Sequence, residues 1–235
     1  MRRTYLLLVT ALLALLLAGC GASSNNSNGT TDVPQSTKSA TPSLGIEPTV
    51  TASNEASPSP NDQASTPEGD SAALKEAAVE VVGLLRERDL NSLLAWIDPN
   101  QGLRFSPSTH LNSDADLVYM PDKLPTFKDT SKLKWGIADG SGDAIELTFR
   151  EYYEKFVYNK DFADAPDISV NKIVGKGNVE FNVAKIYPNA SYVEFHFPGF
   201  DEKLDGMDWQ SLVLVFVPED TDWKLVAILH GQWTV

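Results

Sequence analysis

Glu194 and His196 stand two residues apart in a run, 192–197, that alternates apolar and polar side chains. On a strand that spacing puts Val193, Phe195 and Phe197 on one face and the carboxylate and imidazole on the other. A carboxylate that orients a histidine is a common way to build a general base. If this face lines an interior, the pair is a base with its partner. If it meets water, the two are exposed or make an ordinary structural hydrogen bond. Asp98, in Asp98-Pro99-Asn100, reads first as part of a helix-ending turn. Arg104, flanked by Leu103 and Phe105, is the charge to look for in a buried or cleft-lining position. Trp96 is one of five tryptophans that either pack in the core or wall a hydrophobic or sugar-binding cleft. Trp96, Asp98, Arg104, Glu194 and His196 therefore make up the candidate pocket, and no catalytic residue is assigned.

The remaining chemistry-bearing residues exclude more than they offer. His110, His196 and His230 show no metal-ligand spacing, and His230 reads as a packed histidine. The loop Asp139-Gly140-Ser141-Gly142-Asp143 invites a calcium reading and fails it. Ala144 stands where an EF-hand loop needs glycine, and Arg150 where it needs the last glutamate. The acids at Asp201, Glu202, Asp205, Asp208, Asp220 and Asp222 read as solvated turns. Phosphate-binding, dinucleotide and nucleophile-elbow motifs are missing. The reading predicts no metal and no cofactor.

Stepping toward the N-terminus, Arg2 and Arg3 precede an apolar run over residues 5–17 that only Thr10 interrupts. The run is shorter than the ~20 residues a membrane-spanning helix requires. Small residues follow it, as in a removable export signal. Leu17-Ala18-Gly19-Cys20 resembles the bacterial lipobox at all four positions, and Cys20 is the single cysteine of the 235-residue chain. The resemblance implies recognition of Leu17, Ala18 and Gly19 by a signal peptidase and cleavage after Gly19. It also implies diacylglycerol on the Cys20 sulfur. The alternative is an ordinary secretory signal. With Cys20 lipidated, the exported chain has no disulfide and depends on its core.

Residues 20–70 are rich in Ser, Thr, Asn and Pro and lack aromatics. Such a segment buries too little apolar surface to offset ordering entropy, so it reads as a disordered tether. Its relaxed span is ~40 Å. The formal charge of −13 divides into +2 on the signal, −5 on residues 20–70 and −10 on residues 71–235. A negative domain without a basic stripe argues against nucleic acid as a partner. The expected domains are a signal peptide over 1–19, the tether over 20–70, and one globular domain over 71–235.

In that domain, Leu74, Ala77, Ala78, Val81, Val82 and Leu85 form one helical stripe, with Asp70 or Ser71 as its cap. A short helix restarts at Asp89 and ends at Asp98, and a strand follows at 102–105. Residues 107–134 read as long loops with a short strand, and 134–137 as another strand. Thr148 and Glu151 form a capping box for a third helix carrying Phe149, Tyr152, Tyr153, Phe156 and Val157. Runs at 168–174, 179–187, 192–197, 212–217 and 223–229 predict strands, and 212–217 and 225–229 are apolar on both faces and so central. Helices before strands predict an α+β fold, with helices packed on a curved antiparallel, cone-like sheet. The order resembles the family of nuclear transport factor two, shared with ketosteroid isomerase and scytalone dehydratase. Residues 84–98 are similar to that family's opening, a long helix, an acidic turn and a short helix. The resemblance implies an apolar pocket and puts Asp98 roughly at the isomerase's general base. The chain departs from it in the long stretch 107–147. The phrases Gly102-Leu103-Arg104-Phe105-Ser106-Pro107 and His230-Gly231-Gln232-Trp233-Thr234 also resemble a group of uncharacterised Gram-positive lipoproteins.

The sequence thus predicts a lipid-anchored domain on the extracytoplasmic face of the cell membrane, at a Gram-positive surface. It would bind a small ligand or an envelope protein without catalysis. The alternative is a lipid-anchored enzyme doing isomerase- or dehydratase-like acid–base chemistry, with Asp98 or His196 as base.

Overall fold

The computed structural model describes residues 68–138 and 140–234. Leu17, Ala18, Gly19, Cys20, the signal segment and residues 20–67 of the expected tether lie outside the described residues. Helix α1 spans Glu68–Glu87, so Asp70 and Ser71 lie inside it rather than capping it. Its stripe of Leu74, Ala78, Val81, Val82 and Leu85 is buried, as the spacing predicts. Helix α2, Leu90–Leu93, is capped by the Asp89 carboxylate, which accepts from the Ser92 N–H. Among the described residues no helix is long and apolar enough to cross a membrane.

Eight strands follow: β1 Leu103–Ser106, β2 Leu117–Tyr119, β3 Leu133–Ile137, β4 Ala144–Leu147, β5 Asp167–Val170, β6 Ser191–Phe197, β7 Gln210–Glu219 and β8 Asp222–Gln232. β3 and β4 form a separate hairpin. The other six form one sheet in the order β2-β1-β8-β7-β6-β5, with the two doubly apolar strands at its centre.

This sheet corrects the expected curved antiparallel cone. It is mixed, because β1 runs parallel to β8, with Phe105 opposite Ile228 and Ser106 opposite Leu229. It is also open, ending at β2 and β5. The physical reason was present in β7 and β8: strands apolar on both faces need a cover on both faces. On the front, α1 packs over Val193, Phe195, Leu212, Leu214, Phe216 and Ile228. On the back, Leu111, Val183 and Tyr187 cover Tyr192, Val213, Val215 and Leu229. A bulge in β8 between Leu225 and Ala227 turns Val226 and Ala227 to the same back face.

The third helix opens with both halves of its capping box in place. Helix α3, Phe149–Tyr152, then passes into a π-helical turn, Tyr153–Val157, which the sequence spacing does not reveal. The predicted strand at 179–187 is a further correction, since that stretch holds the short helix α4, Val183–Ile186. The predicted strand at 168–174 ends at Val170.

Candidate functional site

The parallel pairing of β1 with β8 decides where the site lies. Both strands finish at the same end of the sheet, so the segment leaving β1 meets the last residues of β8. The two sequence phrases, 102–107 and 230–234, converge there. Between them lies a cleft of about 310 Å³, walled by Thr109, Phe156, Trp209, His230, Trp233 and Thr234. Lys155 and Gln232 also reach it. The π-helical turn supplies Lys155 and Phe156, and such turns frequently mark functional sites.

Two glycines make room for the Trp209 ring. A Cβ on Gly175 would sit 2.5 Å from Trp209 Cζ3. One on Gly231 would meet Trp209 Cζ3 and Ser211 Cβ, each at 3.1 Å. The indole is buried, and its Nε1 has no hydrogen-bond partner among the described residues. His230 is 1% exposed, and burial lowers its pKa to about 4, so the ring is neutral at pH 7. Its Nε2 lies 3.2 Å from Gln232 Oε1. Its Nδ1 makes no hydrogen bond among the described residues, and the Phe156 carbonyl holds the pKa up against burial. The Thr234 hydroxyl is likewise buried and unpaired among the described residues.

The Glu194–His196 pair is brought together, though through a third residue. Glu194 is fully buried on the back of β6 and accepts from the N–H groups of Val174 and Gly175, the latter at 3.1 Å. It also accepts the Ser211 hydroxyl proton at 2.6 Å. His196 Nδ1 is 2.8 Å from the same Ser211 Oγ and 3.9 Å from Glu194 Oε1. Because Ser211 donates to the carboxylate, its oxygen accepts from His196 Nδ1–H. That polarity is the reverse of nucleophile activation, in which histidine takes the serine proton. The arrangement pins the 174–175 backbone over the sheet, and burial lowers the His196 pKa. Ser211 was not singled out in the sequence. Its pairing with His196 depends on the register of β6 against β7, which no local pattern encodes.

The other candidates fall elsewhere. Asp98 is buried and accepts from the N–H groups of Asn100 and Gln101 at 2.8 and 2.7 Å, making a turn. Trp96 lines a surface hollow with Trp223 and Lys224. Arg104 is partly buried on the back face, and its Nε donates to the Tyr187 hydroxyl at 3.1 Å. Its Nη1 stands 3.9 Å from Asp116, a residue that sequence reasoning passed over. Burial pushes the Asp116 carboxyl up to about 6, against the opposing pull of the Asn112 N–H and Arg104. Asp116 and His110 line a second hollow of about 390 Å³, which shares Pro107, Ser108, Ile137, Ala138 and Val179 with the first. No group of three or more metal-ligating side chains occurs among the described residues.

No family model matches this chain. No curated protein matches it either. Among solved structures it is similar to a chain titled Rd1NTF2_05 that carries five substitutions, at 12% identity and a TM-score of 0.27. The match covers 70% of this chain and 100% of that one. A likeness of that size carries no argument about fold detail or activity.

Proposed function

We propose that this protein is a lipid-anchored domain at the extracytoplasmic face of the cell membrane. In this reading it holds a small ligand in the cleft where β1 and β8 end and does no chemistry of its own. The observation that carries the reading is the unmet hydrogen-bonding capacity at one place. Trp209 Nε1, His230 Nδ1 and Thr234 Oγ1 are buried and unpaired, and all three residues line the same cleft. Leaving a buried polar group unpaired costs about 1–3 kcal/mol each, and such groups need an explanation. A ligand supplies one. Against acid–base chemistry, neither Asp98 nor His196 lines the cleft, and both are engaged in structural hydrogen bonds. The export signal and Cys20 support the anchored location.

The test is solvent mapping by NMR on the mature full-length protein, with isopropanol, phenol and N-methylacetamide as probes. The expected result is a cluster of shifted amides at Thr109, Phe156, Gly231 and Trp233. Shifts gathered instead at Trp96 and Trp223, or spread without focus, would overturn the cleft as the binding place.

A further inference from the structure

We infer that the cleft takes a neutral, hydroxyl-rich ring, a monosaccharide unit, in preference to an anion or a cation. This rests on the cleft being the binding site and adds the class of ligand. The first argument is the set of unmet groups. Trp209 Nε1 can only donate, and the Thr234 hydroxyl can donate or accept. His230 is neutral, with one N–H and one lone pair. Its Nε2 lies beside the Gln232 amide, and Nδ1 is left as the donor or the acceptor according to the tautomer. A carboxylate only accepts, so it serves Nδ1 in one tautomer alone. Sugar hydroxyls donate and accept, and satisfy all three.

The second argument is charge. No Asp or Glu among the described residues lines the cleft, which disfavours a cation. Among the described residues its one charged side chain, Lys155, is exposed, with Nζ 5.0 Å over the Phe156 ring. The chain as a whole carries −13, a field that repels anions. The third argument is the walls. Phe156, Trp209 and Trp233 line the cleft, and Trp233, 39% exposed at the rim, offers aromatic surface to the C–H face of a pyranose. A volume of about 310 Å³ is at the small end for a ligand pocket, suited to one or two sugar units. The three unpaired atoms lie just behind the cleft surface.

Tryptophan fluorescence of the full-length lipidated protein, in a sugar-free zwitterionic detergent, tests this. The probes are glucose, galactose, mannose and N-acetylglucosamine, with acetate and phosphate as the anionic arm, each up to tens of millimolar. A saturable change with at least one neutral sugar and none with the anions is expected. Thr234→Val and His230→Phe should each weaken binding roughly tenfold, and Thr234→Val, near the chain end, guards against a folding artefact. The linear trimer of any sugar that binds separates the sources: tighter binding of the trimer indicates the end of an envelope glycan, and equal binding a free sugar. No response to any sugar, or a response to the anions, overturns the assignment. If the solvent probes still gather in the cleft, the binding site survives and only the sugar falls.

Discussion

Two buried ionisable residues flank the cleft region and pull stability in opposite directions across one pH window. Asp116 has an ordinary carboxyl pKa of 3.8 when unfolded and about 6 in the fold. The folded chain therefore holds a proton that the unfolded chain has released between those values. That contribution is complete below pH 4 and lost as the pH rises through 6. His230 falls from 6.5 to about 4, so there the unfolded chain binds the proton. Its contribution is complete above pH 6.5 and lost as the pH falls toward 4. Each is worth about 3 kcal/mol at most. Urea midpoints between pH 4 and 7 separate them. Asp116→Asn should gain over the wild type above pH 6 and match it near pH 4. His230→Gln should lose less stability than the wild type on acidification. Profiles parallel to the wild type would refute both shifts. Of these residues, His230 is legible as a packed histidine, and Arg104 as a partly buried charge from its apolar neighbours. Asp116 was not, because its burial comes from the fold of the 107–116 segment, where proline and scattered apolar residues give no period.

At the scale of elements, capping and stripes were readable because they are local. Thr148 and Glu151 satisfy each other across three residues, so the pattern survives any tertiary context. The stretch 179–187 was misread for the opposite reason. Val179, Phe181 and Val183 alternate like a strand, but strand preference reflects packing on a pleated surface more than backbone bias. Here Val183 and Tyr187 pack on the back of the sheet from a helical turn. The pairing a strand would have made is supplied by a side chain. Asn182 Oδ1 accepts from the Leu111 N–H at 2.8 Å, and its Nδ2 donates to the Leu111 carbonyl at 2.9 Å. Asn182→Ala strands both buried backbone groups, and about 2–4 kcal/mol of destabilisation is expected. Denaturant midpoints measure that, and hydrogen exchange should show protection lost first at the Leu111 amide. A variant within about 0.5 kcal/mol of the wild type would show that the contact does not hold this segment. The parallel β1–β8 pairing, which creates the cleft, joins strands from opposite ends of the domain and leaves no trace in either.

For the whole molecule, the sheet and the proposed N-terminal export signal bear on one question, which is how the domain is presented. Both faces of the sheet are covered, and its edges are β2 and β5, of three and four residues. Short edge strands limit edge-to-edge association. The domain is therefore suited to display as a separate unit, and its attachment falls to the proposed lipid at Cys20. One acyl chain gives only marginal membrane binding, while two hold stably. If the thioether at Cys20 carries diacylglycerol, the whole molecule depends on one sulfur atom. Cys20→Ser should lose labelling by a palmitate analogue and accumulate as a precursor retaining residues 1–19. Its cleft, built from residues far along the chain, should still give the solvent-probe shifts. Efficient maturation of Cys20→Ser without lipid would instead show an ordinary secretory signal, with the domain released rather than held.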